Sequence, residues 1–332
     1  MNIVFLIGNG FDINLGMKTS YADFYEDYIR RYITTSEPIK RLTNDIAKYK
    51  NTNLWADLEK GLGEYAAQIS SVNELREVYF HLNEALMTYL AEQSLDEKYL
   101  TTDVATELKK DLMSPQQYFR PRIRQSIVEY MNPGGVVQDD INIITFNYTD
   151  TIEKILEAGS FKLPLELGVK NTNGSKRVLQ SINHIHGTLN DTELIMGVND
   201  LSQIKNEVLA KDPSAQSMLV KPETTINRGD LLDDKCEKLM KNADMYCLFG
   251  LSLGETDNKW WNILSARMNS SNAHIIYYAH TSKNPKYNQD LWDMERGYRN
   301  VLIEKFAGHA QDKSSYQYRI HVVVNSEMFN LE

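Results

Sequence analysis

Ile3-Val4-Phe5-Leu6-Ile7-Gly8-Asn9-Gly10-Phe11-Asp12 is the stretch that decides the fold. Its apolar run has the length of one buried strand. The run breaks directly into Gly-x-Gly, with a helix expected after it. Strand, glycine turn and helix in that order are how α/β proteins build a nucleotide-phosphate site. Gly8 and Gly10 let backbone N–H groups approach an anion without a Cβ in the way. The positive end of the following helix adds charge complementarity. Many ordinary tight turns also need two glycines, and the third glycine of the dinucleotide fingerprint is not at its usual place. Asp12 reads as a helix cap or as an acceptor for a ribose hydroxyl, because a carboxylate beside a pyrophosphate would repel it.

Outward from this loop, residues 21–131 read as helical. Phe24, Tyr25, Tyr28, Ile29, Tyr32 and Ile33 recur at the spacing of one helix face, as do Leu54, Trp55, Leu58, Leu62, Tyr65, Ala66 and Ile69. Val72 to Leu95 repeats the pattern, and a helix over Gln116–Met131 is expected to bend at Pro121. Asn132-Pro133-Gly134-Gly135 then punctuates the chain. Beyond it, Ile141–Phe146, Arg177–Ile182, Leu194–Val198, Met245–Phe249, His274–Tyr278 and Ile320–Val324 read as short buried strands. Helices are expected between them at Thr149–Glu157, Leu231–Asn242 and Asn258–Met268. Segment 199–230 reads as a mobile or helical excursion. The expected fold is α/β: a Rossmann-like, mostly parallel sheet from residues 1–20 and 132–332, with a long all-helical insertion over 21–131 after the first strand.

In such a sheet the ligand sits beyond the carboxyl ends of the strands. Four turns rich in Gly, Asn, His, Ser and Asp fall there: Gly8-Asn9-Gly10, Asn147 to Asp150, His184 to Thr188, and Gly250 to Asp257. Each has a plainer reading. Asn147, Ser252 and Asp257 could cap helices, His186 could be a hydrogen-bonded turn residue, and Gly250 could serve a tight turn.

The totals exclude several classes. A chain of 332 residues with net charge −9 does not carry a broad phosphate-tracking surface for nucleic acid. No run is long enough to span a bilayer, and the opening residues do not read as a signal peptide, so a cytoplasmic location is the default. Cys236 and Cys247 cannot build a disulfide framework or a four-cysteine zinc site, and no metal is expected. A nuclease-like toxin, which needs a carboxylate cluster and a basic groove, is the weakest reading.

The four turns resemble a known set. Gly8-x-Gly10 with Gly16 is similar to the glycine loop of sirtuin-type NAD-binding domains. Thr145-Phe146-Asn147 resembles their Thr-Gln-Asn, His186-Gly187 their His-Gly, and Gly250-Leu251-Ser252-Leu253 their Gly-Thr-Ser-Leu. The whole chain resembles the bacteriophage abortive infection AbiH family. That resemblance rests on Ile7 to Asp12, Leu15-Gly16, Thr19-Ser20-Tyr21-x-Asp23-Phe24, Trp55 to Glu59, Phe146 to Thr149, His186-Gly187 and Gly250 to Asp257. It implies antiphage defence in which the infected cell stops growing or dies.

Together the resemblances imply NAD as ligand or substrate and cleavage of its nicotinamide–ribose bond. Deacylation is not expected, because two cysteines cannot build the sirtuin deacylases' zinc module. Asn147 is the expected holder of ribose hydroxyls or the attacking water, and His186 the expected general base. Gly8, Asn9, Gly10, Phe11, Asp12, Gly16, Thr145, Gly250, Ser252 and Asp257 are the expected binding residues, with the N–H groups of Gly8 and Gly10 on the pyrophosphate. The alternative is an NAD- or ADP-ribose-sensing module that signals to a partner without turnover. A homo-oligomer and a phage-derived trigger are further expectations.

Overall fold

The computed structural model describes residues 1–32, 36–132, 138–169, 175–229, 231–283, 285–308 and 313–331. Ile33, Pro133-Gly134-Gly135 and Glu332 lie outside them. The strands are β1 (Asn2–Ile7), β2 (Gln138–Thr145), β3 (Leu165–Val169), β4 (Lys176–His184), β5 (Met245–Phe249), β6 (His274–Ala279) and β7 (Ile320–Val324). Among the described residues they form one sheet in the order β3-β4-β2-β1-β5-β6-β7. All pairings are parallel except β3 on β4. Without β3, the parallel strands taken in chain order run 3-2-1-4-5-6 across the sheet. The chain leaves β1 to one side for β2 and β4, then crosses to the other for β5, β6 and β7. The turns after β1, β2 and β5 therefore flank a switch point, where open α/β sheets bind ligands.

Period-2 alternation explains why both faces are covered. On β1, Ile3, Phe5 and Ile7 enter one core while Val4 and Leu6 enter the opposite one. β5 divides the same way, with Met245 and Cys247 on the first face and Tyr246 and Leu248 on the second. Helices Thr102–Met113, Pro121–Met131 and Thr151–Ala158 cover the first face. Helices Leu232–Lys241, Asn258–Ser270 and Asn288–Ala307 cover the second.

A third core is separate from the sheet. Helices Tyr21–Arg31, Glu37–Tyr49, Leu58–Tyr65 and Val72–Ala91 bury Phe24, Tyr28, Trp55, Leu62 and Leu82 together with Leu194, Met196, Val198, Met218 and Leu219. The helical stretch 21–131 thus divides between two cores: its first four helices build this third one, and its last two cover the sheet. Of segment 199–230, residues 199–229 are described and carry helices Glu207–Lys211, Pro213–Leu219 and Lys221–Arg228, and the first two of these pack into the third core.

Two local expectations need correction, and one strand was not foreseen. Leu194–Val198 is not a sheet strand. Its alternation is real, but Asn83 of a helix takes the strand partner's place, donating from Nδ2 to the Leu194 carbonyl at 2.8 Å and accepting the Leu194 N–H at 3.1 Å. Among the described residues, only Val198 of this segment pairs as strand, in one bridge to Val220. Pro121 does not bend a helix; it opens one, where its missing N–H costs nothing. The edge strand β3, five residues with a glycine inside, gave too weak a pattern to be read from sequence.

Candidate functional site

A cavity of about 1070 Å³ lies between the carboxyl edge of the sheet and the helical layer. Gly8, Asn9, Gly10, Asp12, Asn147, His186, Gly250, Ser252 and Asp257, all expected site residues, line it. The opposite wall is helical and includes Tyr21, Ala56, Asp57, Glu59, Leu86 and Leu90. Phe11, Gly16 and Thr145 are not among the lining residues. Phe11 is core: its ring packs against Phe329 at 5.3 Å and Phe249 at 6.4 Å. Gly16 follows the short first helix at φ +78°. Thr145 is buried and accepts the Asn147 N–H at 3.1 Å.

The glycine loops are built for each other. A Cβ on Gly10 would stand 2.4 Å from the Gly250 Cα, and one on Gly8 would stand 2.6 Å from the Gly250 carbonyl oxygen. Gly10 N–H donates to Gly250 O at 3.0 Å, Gly8 N–H to Phe249 O at 2.9 Å and Phe11 N–H to Gly8 O at 3.0 Å. This corrects the expected role of the loop. The N–H groups assigned to a pyrophosphate are already committed to protein carbonyls, and the helix behind them, Gly10–Asn14, is a single turn. Asn9 pins the loop to the next segment, donating to the Thr19 carbonyl at 2.8 Å and accepting from the Thr19 hydroxyl at 2.6 Å.

Around the loop, the polar atoms are unevenly satisfied. Asp12 accepts from the Thr149 hydroxyl at 2.5 Å through Oδ2, while its buried Oδ1 has no partner. Burial raises its carboxyl to about 6, against the lowering effect of Thr149, Thr151 and Asn147. Asp12 is therefore not the N-cap expected of it, since the helix starts at Gly10. Asn147 Oδ1 is likewise buried without a partner. Asn147 caps no helix either, for the next one is preceded by Asp150. Its backbone carbonyl accepts from His184 Nδ1 at 2.9 Å, and His184 Nε2 meets Glu153 at 2.8 Å. Burial opposes charge on His184, but Glu153 and the Asn147 carbonyl raise it above its ordinary value.

The charged centre is one that sequence reasoning missed. Lys221, the first residue of helix Lys221–Arg228, is buried with Nζ 2.6 Å from Glu59 Oε2, 2.8 Å from Asp257 Oδ1 and 3.3 Å from His186 Nε2. Asp257 Oδ1 also lies 3.1 Å from His186 Nε2. Asp257 thus turns to this cluster rather than capping the helix it precedes. Burial and the Lys221 ammonium hold His186 below its ordinary value. Burial also works against the Asp257 charge, but Lys221 and His186 keep that carboxyl well below the usual range. Burial wins at Glu59, which rises to about 8 despite Lys221. The contrast follows position: Asp257 touches both Lys221 and His186, whereas Glu59 is more deeply buried and meets Lys221 with one oxygen, its Oε1 being buried without a partner. Asp57 places Glu59 by capping helix Leu58–Tyr65, accepting the Glu59 N–H at 2.9 Å.

Among the described residues, four cavity-lining polar atoms are thus buried and without a hydrogen-bond partner: Asp12 Oδ1, Glu59 Oε1, Asn147 Oδ1 and Tyr148 OH. Among the described residues, the walls carry Asp12, Asp57, Glu59 and Asp257 and no lysine or arginine. Such a chamber suits a hydroxyl-rich ligand that is neutral or cationic where it meets these groups. A separate trio, Asp233, Asp234 and Glu237, brings carboxylates together on helix Leu232–Lys241, but Asp233 pairs with Lys259 and Glu237 with Lys241.

Fold and site define an α/β protein with a large acidic chamber where a parallel sheet meets a helical layer. A family model for bacteriophage abortive infection AbiH matches residues 4–279. The chain belongs to that family, which gives it a role in antiphage abortive infection. No match was found among curated proteins. Among the described residues, no helix is long and apolar enough to cross a membrane.

Proposed function

We propose that the chamber binds NAD and that the chain cleaves its nicotinamide–ribose bond in antiphage defence. The observation that carries this reading is the pair of unpartnered acceptors, Asp12 Oδ1 and Asn147 Oδ1, beside the glycine loop. Two buried acceptors of this kind are costly unless a ligand donates to them, and ribose hydroxyls do so. The strand order 3-2-1-4-5-6, which is that of dinucleotide-binding sheets, supports it further. So do Asp12 and Asp57, the wall carboxyls not held by Lys221, because nicotinamide is a cationic ring while attached and positive charge grows on the ribose as the bond breaks.

In this reading Asp12 and Asn147 hold ribose hydroxyls. The close-packed glycine loops let the ligand lie against backbone, and Ser252 offers a neutral donor to the phosphates in place of the committed N–H groups. His186 takes a proton from water as its oxygen bonds to the anomeric carbon. The carbon–nitrogen bond breaks, its electron pair returns to the ring, and nicotinamide leaves neutral. A positioned base of this kind contributes on the order of a hundredfold or more.

Incubation of the purified chain with NAD, followed by chromatography of nicotinamide and ADP-ribose, tests the reading. Product that disappears in folded His186→Ala and Asn147→Ala supports it. No product, with phage extract present as well, removes it. One observation favours sensing without turnover: Nε2 of His186 already faces Lys221 and Asp257. A thermal shift with NAD or ADP-ribose that survives His186→Ala, with no product formed, selects that second reading.

A further inference from the structure

His186 poses a proton-placement problem that the structure answers. Its Nε2 faces a carboxylate oxygen at 3.1 Å and an ammonium nitrogen at 3.3 Å. The Lys221 contact is a hydrogen bond in which the ammonium can only donate, so Nε2 is the acceptor and the proton of a neutral ring lies on Nδ1. A neutral imidazole then carries its lone pair on Nε2. A lone pair cannot face the Asp257 oxygen comfortably unless a proton from elsewhere stands between them. Lys221 supplies it. Its ammonium has three N–H donors and three acceptors within reach: Glu59 Oε2, Asp257 Oδ1 and His186 Nε2.

We propose that Lys221 is the positioning residue of His186: clamped between Glu59 and Asp257, it keeps the imidazole neutral with its lone pair on Nε2. The inference deepens the base role proposed above and rests on that reading for its catalytic consequence. The contact with His186 is the longest of the three, so a ligand hydroxyl or water can displace it while Glu59 and Asp257 still hold the ammonium. Removing Lys221 leaves Asp257 facing the ring alone. The histidine then takes a second proton, pairs with Asp257, and ceases to be a base at neutral pH. The charged groups facing the ring are Lys221 from helix Lys221–Arg228 and Asp257 from the turn after β5. Glu59 of the helical layer stands one contact behind, and the Tyr148 ring lies 6.2 Å away. Glu59 thus makes the helical layer a participant in the protonation of His186.

Nitrogen-15 NMR of the histidines of the full chain, between about pH 5 and 9, reads the protonation state and tautomer directly. The His186 signal is assigned by its loss in His186→Gln. In the unaltered chain His186 is expected neutral near pH 7 with its proton on Nδ1. In Lys221→Met its apparent pKa is expected to rise by about one pH unit or more, a tenfold gain in protonation. Should that variant fail to fold, Lys221→Met with Glu59→Gln removes cation and carboxylate together and is expected to give the same rise. Adding Asp257→Asn to either is expected to restore the neutral ring, and Lys221→Arg to preserve it. An imidazolium or an Nε2–H tautomer in the unaltered chain overturns the proposal, as does an unchanged titration in a folded variant lacking Lys221. If the chain never releases nicotinamide, the hydrolysis reading falls while the titration still decides this one. If it does, the pH–rate profile of Lys221→Met moves to the alkaline side.

Discussion

The two halves of the chamber are satisfied in opposite ways. At the sheet edge, the Gly8–Gly10 and Gly250 turns lock backbone to backbone, and the N–H groups of Gly8, Gly10 and Phe11 are used within the protein. Where the sheet edge meets the helical layer, Glu59, Lys221, Asp257 and His186 form a buried charged cluster that leaves Glu59 Oε1 without a partner. The glycine loop is a rigid wall, and the unmet hydrogen-bonding capacity lies in side chains around it. A motif that looks like a phosphate cradle therefore works first as packing. The groups that would choose a ligand are the acceptors of Asp12, Asn147 and Glu59.

Breaking the charged half should have the largest effect. Lys221→Met leaves Glu59 and Asp257 buried without their shared cation, and loss of one member of a buried ion network costs about 3–5 kcal/mol. Urea unfolding near pH 7 measures it. Glu59→Gln should cost far less under the same conditions, because a carboxyl raised to about 8 is already mostly protonated. Equal losses in the two variants would mean that Glu59 is ionised in the folded chain.

Asp12 gives the next effect, and its sign depends on pH. Its carboxyl rises from an ordinary 3.8 to about 6 on folding, so the folded chain keeps a proton that the unfolded chain releases between those values. Stability is lost as pH rises through that window and is not regained above it. At about 1.4 kcal/mol per pH unit the loss is about 3 kcal/mol. Asp12→Asn carries no such charge. It should match the unaltered chain near pH 4 and exceed it by up to about 3 kcal/mol at pH 8. Parallel unfolding curves across pH would show instead that a water or ion already serves Oδ1.

What could be read from sequence was whatever is written locally. β1 and its turn are one apolar run and two glycines, and Asn147 and His186 announce themselves by following buried strands. Phe11 sits inside the same motif yet belongs to the core, because its partner Phe329 arrives from the far end of the chain. There Asp111 accepts the Phe329 N–H at 2.6 Å, and Asn14 donates to the Phe329 carbonyl at 2.7 Å. The Glu59–Lys221 contact was illegible for the same reason. No spacing links a capped helix start in the third core to the first residue of a helix after Val220. The alternation of Leu194–Val198 was legible as burial but not as pairing, since a side chain, Asn83, can replace a strand.

At the sheet edge, Gly10→Ala tests the packing role. A Cβ placed 2.4 Å from the Gly250 Cα meets backbone, which cannot swing aside as a side chain would. Overpacking of this kind costs about 1–3 kcal/mol. The same displacement of the Gly250 turn would carry Ser252 with it, so any ligand affinity measured by calorimetry should fall together with stability. A normal melting curve with lost affinity would return the loop to a direct role at the ligand.

Gly16→Ala supplies the smallest effect and the sharpest control. Gly16 shares the motif's spacing but not its packing: its φ is +78° and a Cβ there would meet nothing within 4 Å. Only backbone conformation is at stake, so the cost should be about 1 kcal/mol, the penalty of a left-handed position for an L residue. Affinity for any ligand of the chamber should stay unchanged, because Gly16 is not among the lining residues. A loss of binding in Gly16→Ala without further loss of stability would mean that the short helix between Gly10 and Gly16 moves when ligand enters. The sheet-edge wall would then be the mobile half of the chamber, and the contrast between a fixed wall and a responsive charged cluster would reverse.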